Sequence, residues 1–567
     1  MEAGVSAMRS FPAAAVAVLF LSGIAWGHGG SFRGPGGGVP PSLPPGLPQQ
    51  PTSPPRTGHG THTWQTWWGY NQFKVIDFRR RQKERRGPVT GEGEAKGPDA
   101  WRIELRERVV PVMREALKDD DKEVRTAAAV ALGKYRTTAA IEDLKTLYRT
   151  DNVDEVREAA LQGLLLMGDP GLFDFFETIL RDQGETLRLR GFAMMGMGRI
   201  GDAKSREYLQ DFFDPKDARQ QALVPKSTGD TRQFLIAALV GLQMTGDPTL
   251  GETFLRFARD KRFDEDVRAY AVNCIGKVRA KDRLPDVLSL LRDESDQIRR
   301  SAAVAVGVLA EREDPAAVKA LSPAMSKDKD KVVRHFATIS LGQVGGEEAF
   351  SRLKRYYRYA DKEERGFFHL GFAFSGHPEA AAILEKHLDA ADADEAAAAV
   401  LGFGILGDAA KAPLLRKVLD ESKSWVLLQS SVIALGMLDD KVSVPAIETI
   451  LVNKTQPAVR TAAAIAYALL RQHEAVKLFS ELLRDADTVF MRNAIAQVMG
   501  RLANPAAAEP VLAIYKDATV QRQTRAYALV ALGMLADTAD FPVFPELAFD
   551  TNYFVRCDPF DIVVTIL

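Results

Sequence analysis

From about residue 119 to residue 537 the chain alternates apolar runs, spaced every three or four residues, with short polar turns, and the alternation is periodic. Each cycle has an Asp-rich turn, a Val-Arg pair or its equivalent, an Ala-rich apolar stretch and a Gly. Clear copies run from Val124-Arg125 to Gly133, Val267-Arg268 to Gly276, Ile298-Arg299 to Gly307, Val333-Arg334 to Gly342, Met491-Arg492 to Gly500 and Thr524-Arg525 to Gly533, with the Gly eight residues after the Arg in each. Taking the Arg, or whatever replaces it, as a ruler gives positions 125, 157, 190, 235, 268, 299, 334, 365, 396, 428, 460, 492 and 525. The steps are 31 to 35 residues apart from one of 45. A fixed period of this length marks stacked units that bury one another's apolar sides, so the pattern predicts an all-α solenoid of about thirteen helix pairs.

Within a unit the spacing predicts a first helix, such as Pro315 to Met325, and a second, such as Lys331 to Leu341. The punctuation agrees. Asp169-Pro170, Asp247-Pro248, Asp314-Pro315 and Asn504-Pro505 each place a capping side chain and a proline at a helix start, where the missing proline donor costs nothing. The recurrent Gly is expected to end the second helix in a left-handed conformation. The step of 45 residues holds an insertion, 213–231, expected to bulge out as a loop and to be either a binding element or inert.

The Asp turn, Val-Arg and Ala-x-x-Ala-Leu-Gly together resemble HEAT repeats, in particular the HEAT-like variety also found in bilin lyases. The resemblance covers about four fifths of the chain, the HEAT-repeat α-solenoid being assigned to 99–567. It implies a ladder in which the turn Asp and the Arg join successive repeats. Asp119, Asp151, Asp293 and Asp328 stand six residues before Arg125, Arg157, Arg299 and Arg334 and take those roles. Leu235, Ala396 and Leu428 replace the Arg, so stacking there is expected to rest on apolar contact.

The N-terminal region differs. Residues 1–27 read as a signal peptide, with Arg9, an apolar run from Phe11 to Ile24 and the small-x-small Ala25-Trp26-Gly27. The expectation is export, to the periplasm or the extracellular space, after cleavage near Gly27. Residues 28–63 are Gly/Pro-rich and predict a disordered spacer. Residues 64–98 combine a Trp-rich element, a basic cluster and a flexible linker. His28-Gly-Gly-x-x-Arg33-Gly-Pro35-Gly followed by Val39-Pro-Pro and a Trp-Trp segment is similar to the start of predicted exported HEAT-repeat proteins of planctomycete-type bacteria. Trp64, Trp67 and Trp68 are expected either to cap the open end of the solenoid on the first repeats or to dock a partner.

Charge and cysteine content narrow the classes. The formal net charge is −1 and no long basic stripe points to nucleic acid. Basic residues within 74–86 are compatible with weak association with an anionic envelope surface. Cys274 and Cys557 are the only cysteines, which excludes a disulfide framework, and Cys274 falls in an Ala-rich stretch that predicts a buried thiol.

No phosphate-cradling loop, nucleophile elbow or His-Glu-x-x-His helix occurs. HEAT-repeat hydroxylases resemble this pattern and hold iron with recurrent His-Glu pairs; this chain has one, His473-Glu474. No catalytic residue, cofactor or metal ligand is therefore assigned. A solvated tail holding His28, His59 and His62 is the expected fate of those histidines. The expectation is a monomeric, non-enzymatic scaffold that holds a protein or extended peptide on the concave face of the solenoid. The alternative is ligand or metal binding, or lyase-like chemistry, at an aromatic groove within 356–425. Its candidate residues are Tyr356, Tyr357, Arg358, Tyr359, Phe367, Phe368, His369, Phe372, Phe403 and Trp425, to which core packing is the competing assignment.

Overall fold

The computed structural model describes residues 63–76 and 100–535, apart from 454–455, 472–473, 487 and 503. All regular structure among these residues is helical: one separate helix, Trp64–Ile76, then thirteen helix pairs, with a short extra helix, Ala218–Gln221, and several single 3-10 turns between them. The second helices are Lys122–Tyr135, Asp154–Met167, Leu187–Ile200, Thr228–Met244, Glu265–Lys277, Asp296–Leu309, Lys331–Val344, Lys362–Ser375, Ala393–Leu406, Trp425–Met437, Pro457–Leu470, Val489–Leu502 and Arg522–Leu535. Every ruler position falls on one of them, so the period read from the sequence sets the helices. No helix among the described residues is long and apolar enough to cross a membrane. Residues 1–27, read as a signal peptide, nearly all of the Gly/Pro-rich segment 28–63, most of the basic cluster and Cys557 lie outside the described residues.

Each second helix packs against the second helix of the next repeat, and the last packs against the first, so the thirteen repeats close into a ring. The contact is made by small residues in a fixed register. A Cβ on Gly133 would lie 2.5 Å from the backbone of Gly163, one on Gly342 2.3 Å from the carbonyl oxygen of Gly371, and one on Gly404 2.9 Å from the Cα of Ala434. In these three junctions the Gly eight residues after one ruler position meets the Gly or Ala six residues after the next, whereas Gly307 meets Ser340 and Gly500 meets Met534. The structure corrects the role expected for this Gly: it lies inside the helix and permits close approach. The left-handed helix ends belong to other glycines, among them Gly168, Gly201, Gly376 and Gly407.

Closure repeats the internal register. Gly533 meets Ala131 at 2.8 Å from a built Cβ, Tyr135 Oη donates to the Leu532 carbonyl at 2.9 Å, and Arg525 reaches Asp119 at 3.3 Å. Arg108 and Glu509 pair between the first and last outer helices.

The ladder is real, with a direction the sequence did not supply. Arg125 donates to the carboxylate of Asp151 in the next repeat (2.7 Å) and to the backbone carbonyl of its own Asp119 (2.8 Å). Arg299 binds Asp328 through two nitrogens, at 2.7 and 2.9 Å, and the Asp293 carbonyl at 2.9 Å. At three junctions where the next repeat lacks the turn Asp a glutamate substitutes, Arg157 pairing with Glu185, Arg334 with Glu364 and Arg365 with Glu395, while Arg190 binds the Leu223 carbonyl and Arg492 binds Gln521. Asp169, Asp247, Asp314 and Asn504 cap as expected, each accepting from a backbone N–H two residues on.

With about 100° between successive residues, the remaining faces of a second helix follow. Seven residues past the ruler, Leu132, Leu164, Ile275 and Leu341 are fully buried towards the outer helix. Each such side chain contributes about 1.5–3 kcal/mol by burial. Positions one, five and nine past the ruler point to the ring axis. On the eighth repeat these are Gly366, Leu370 and Phe374.

Candidate functional site

The Trp64–Ile76 helix lies on that inward face of the eighth repeat. The Trp64 ring covers Gly366 so closely that a Cβ there would be 2.1 Å from Trp64 Cδ1. Trp67 meets Phe374 edge to face, with centroids 5.7 Å apart. Trp64 and Trp68 are buried. The Trp-rich element thus sits inside the ring and does not cap the first repeats, whose exposed side is already taken by the last repeat.

The aromatic groove proposed for 356–425 does not form. Phe367, Phe368, Phe372 and Phe403 are buried, because they fall two, three and seven residues past their rulers and so point between helices. Phe367 stacks on His335 with centroids 4.1 Å apart. Tyr356 is half-buried, Arg358 is exposed, and Tyr359, 80% exposed, lies in the turn before Lys362. Trp425, 36% exposed, begins the second helix of the tenth repeat. These residues do not converge.

What does converge is polar. Tyr357 ends the first helix of the eighth repeat and His369 lies on its second. His387 follows the short helix Ala380–Glu385 of the ninth repeat, and Glu395 begins the second helix there. Tyr357 Oη donates to Glu395 Oε1 at 2.8 Å. His387 Nδ1 is 3.1 Å and His369 Nε2 3.4 Å from the same oxygen. Arg365 holds the other carboxylate oxygen at 3.1 Å. His369 is fully buried and Glu395 nearly so, while the His387 side chain keeps 27% exposure and opens the cluster to solvent.

Burial holds His369 below the usual imidazole range, so the ring is neutral. The hydrogen bond from His369, aided by Tyr357 and Arg365, holds Glu395 down to about 2 against the opposing effect of burial. Burial, with Glu395 nearby, pushes the Tyr357 hydroxyl up. The set is therefore an anionic carboxylate facing two imidazoles and a phenol.

Sequence reading named Tyr357 and His369 for the wrong reason and missed His387 and Glu395. The signal was present in the repeat register. Four residues past the ruler, where His369 stands, the other repeats carry Ala, Leu, Met or Val, with Thr338 the exception. One residue before the ruler, where Glu395 stands, most carry Val, Ile, Leu, Phe or Met.

The insertion 213–231 is partly helical, with a short helix, Ala218–Gln221, and an early start to the next helix at Thr228. A cleft of about 350 Å³ lies beside it, walled by Phe213, Leu235, Phe263 and Val267. Its arginines are engaged: Arg232 with Asp266 at 3.0 Å and Arg262 with Asp260 at 2.9 Å.

No curated protein matches the sequence. Among solved structures the chain is similar to human deoxyhypusine hydroxylase in complex with glycerol, at 17% identity over 47% of this chain and 96% of that one, with a TM-score of 0.21. It is also similar to the CpcE–CpcF complex of phycocyanin lyase from Nostoc sp. PCC7120, at 18% identity over 56% and 98%, TM-score 0.25. A third similarity is to the karyopherin Kap121p, at 12% identity over 80% and 66%, TM-score 0.34. The family model described as HEAT repeats matches residues 101–165, 217–307, 302–366 and 444–533, together more than half of the chain. With the helix pairs, the Arg ladder and the small-residue register all in place, the chain belongs to the HEAT-repeat family.

Proposed function

We propose that this protein is a non-enzymatic, exported scaffold whose ring holds a helical or extended segment of another protein against its inward face. The observation that carries the reading is the seating of Trp64 and Trp67 on Gly366 and Phe374. An inward face with a bare glycine and an aromatic wall accepts a helix bearing large rings, and Trp is a favoured anchor in such contacts. The chain's own helix occupies the place a partner helix would take, and the Gly/Pro-rich spacer before it acts as a stalk. Export rests on the N-terminal signal-like sequence alone.

The test is site-directed photo-cross-linking in the native host. A photoreactive residue at Gln343, nine residues past its ruler and so inward, should give a discrete protein adduct. The same probe at Lys319 on the outer helix should not. Absence of any inward adduct, together with turnover of a small molecule by the purified chain, would reverse the reading.

A further inference from the structure

We propose that Tyr357, His369, His387 and Glu395 form a binding site for a tetrahedrally coordinated divalent metal of the zinc class. The four ligand atoms, Tyr357 Oη, His369 Nε2, His387 Nδ1 and Glu395 Oε1, are corners of a tetrahedron. Five of its edges measure 2.8, 3.1, 3.2, 3.4 and 3.5 Å, and the sixth, between the imidazole nitrogens, is within 4.8 Å. The point equidistant from the four atoms would lie roughly 2.0 Å from each if the sixth edge matched the other five and about 2.4 Å at its upper bound, a span that begins at the length of a Zn–N or Zn–O bond. Two imidazoles and a carboxylate, with a phenol oxygen as fourth donor, suit zinc better than the all-oxygen preference of calcium or magnesium.

Glu395 alone has a simpler explanation, since Glu364 also accepts a ladder Arg. That explanation leaves His369, His387 and Tyr357 without a reason to surround Oε1 while Arg365 holds only Oε2. His369 and Glu395 stand where most other repeats carry apolar side chains, a placement that ligation of a metal would account for. Four protein donors leave no open coordination position, so the metal would act as a staple and not as a catalyst. Tyr357 and His369 come from the eighth repeat, His387 and Glu395 from the ninth, and the staple joins them. Entry is from the half-exposed His387 side. His369 Nδ1, the outward nitrogen of that ligand, is buried without a hydrogen-bond partner. Such a missing support lowers affinity by about 10–100-fold relative to a fully supported site.

Co²⁺ titration of the metal-stripped full-length chain, followed by visible absorption, tests the assignment. The expected result is one Co²⁺ per chain with the intense bands of tetrahedral geometry, displaced by Zn²⁺. His387→Ala, at a half-exposed position with little consequence for folding, should weaken binding at least roughly 100-fold, and Tyr357→Phe about tenfold. A His59→Ala/His62→Ala variant should bind as the parent does. Lack of tetrahedral bands, binding that survives His387→Ala, indifference to Tyr357→Phe, or loss of binding in the His59/His62 variant would each overturn the site. Retained melting behaviour of His387→Ala separates lost ligation from lost fold.

Discussion

Replacing Gly533 by leucine should open the ring while leaving its repeats folded. A methyl group on Gly533 would lie 2.8 Å from the Cβ and 2.9 Å from the Cα of Ala131. Carbon atoms pack best at about 3.5–4.0 Å, so even alanine forces the first and last inner helices apart by roughly 0.8 Å. Overpacking of that size costs about 1–3 kcal/mol. The helix-propensity gain of alanine over glycine is the same in the open and the closed ring, so Gly533→Ala should weaken closure by about 1–3 kcal/mol. Leucine adds bulk that meets backbone and Cβ, not the far end of a flexible side chain, and should separate the ends. Gly436→Leu is the matched control, because its Cβ would meet the Cα and Cβ of Ala466 at 2.8 and 2.9 Å, but there the polypeptide itself bridges the two repeats. Small-angle scattering should show a larger radius of gyration for Gly533→Leu and an unchanged one for Gly436→Leu. Hydrogen exchange should quicken in Lys122–Tyr135 and Arg522–Leu535 of the first variant, with the far side of the ring unaltered. If Gly533→Leu keeps both the parental radius and the parental protection of those two helices, the closed ring is wrong.

The ladder offers a second test: Arg299→Ala removes one member of a nearly buried, two-pronged pair with Asp328 and should cost about 3–5 kcal/mol in chemical denaturation. Arg299→Lys should not restore it, because a single ammonium cannot reproduce the fork. Gly366→Ala should displace Trp64, read as a red shift in tryptophan emission, since the new methyl would overlap its ring. Asp247 accepts from Thr249 and pairs with Arg206, and the Thr249 hydrogen bond first of all holds its carboxyl below the ordinary value of 3.8. Its contribution to stability is thus fully present above that value and is lost as the pH falls towards the lower folded value. Asp247→Asn should flatten the stability profile in that window and nowhere else. Burial pushes the Cys274 thiol up, so in a Cys557→Ser background a thiol reagent should label Cys274 only as fast as the fifth repeat opens.

The helix pairs were legible because the signal repeats: a ruler Arg, its Asp turn and the Gly eight residues on are local, and thirteen copies average out the exceptions at Leu235, Ala396 and Leu428. Ring closure was harder, since it is a sum of small rotations between neighbours. One clue was available. Solenoid ends normally carry atypical, polar capping repeats, whereas here the first repeat keeps Asp119 and Ala131 and the last keeps Arg525 and Gly533, each ready for a neighbour. The polar cluster escaped notice because aromatic residues around it were more conspicuous than its charge. Only comparison of His369 and Glu395 with the same positions in other repeats reveals how out of place they are. The destination of the Trp-rich helix was not legible, since nothing in Trp64 or Trp67 specifies the distant Gly366 and Phe374.

A closed array fixes its own arithmetic. An open array can lengthen or shorten by whole units and merely change reach, but a circle of thirteen turns by about 28° per unit, and adding or deleting one alters the angle required of all the rest. Duplication of one unit would here break the seam between Gly533 and Ala131, so unit number is fixed by the geometry of the whole circle. Conversely, because the seam has the same register as Gly404 on Ala434, packing there does alone what packing and polypeptide do together at the other junctions.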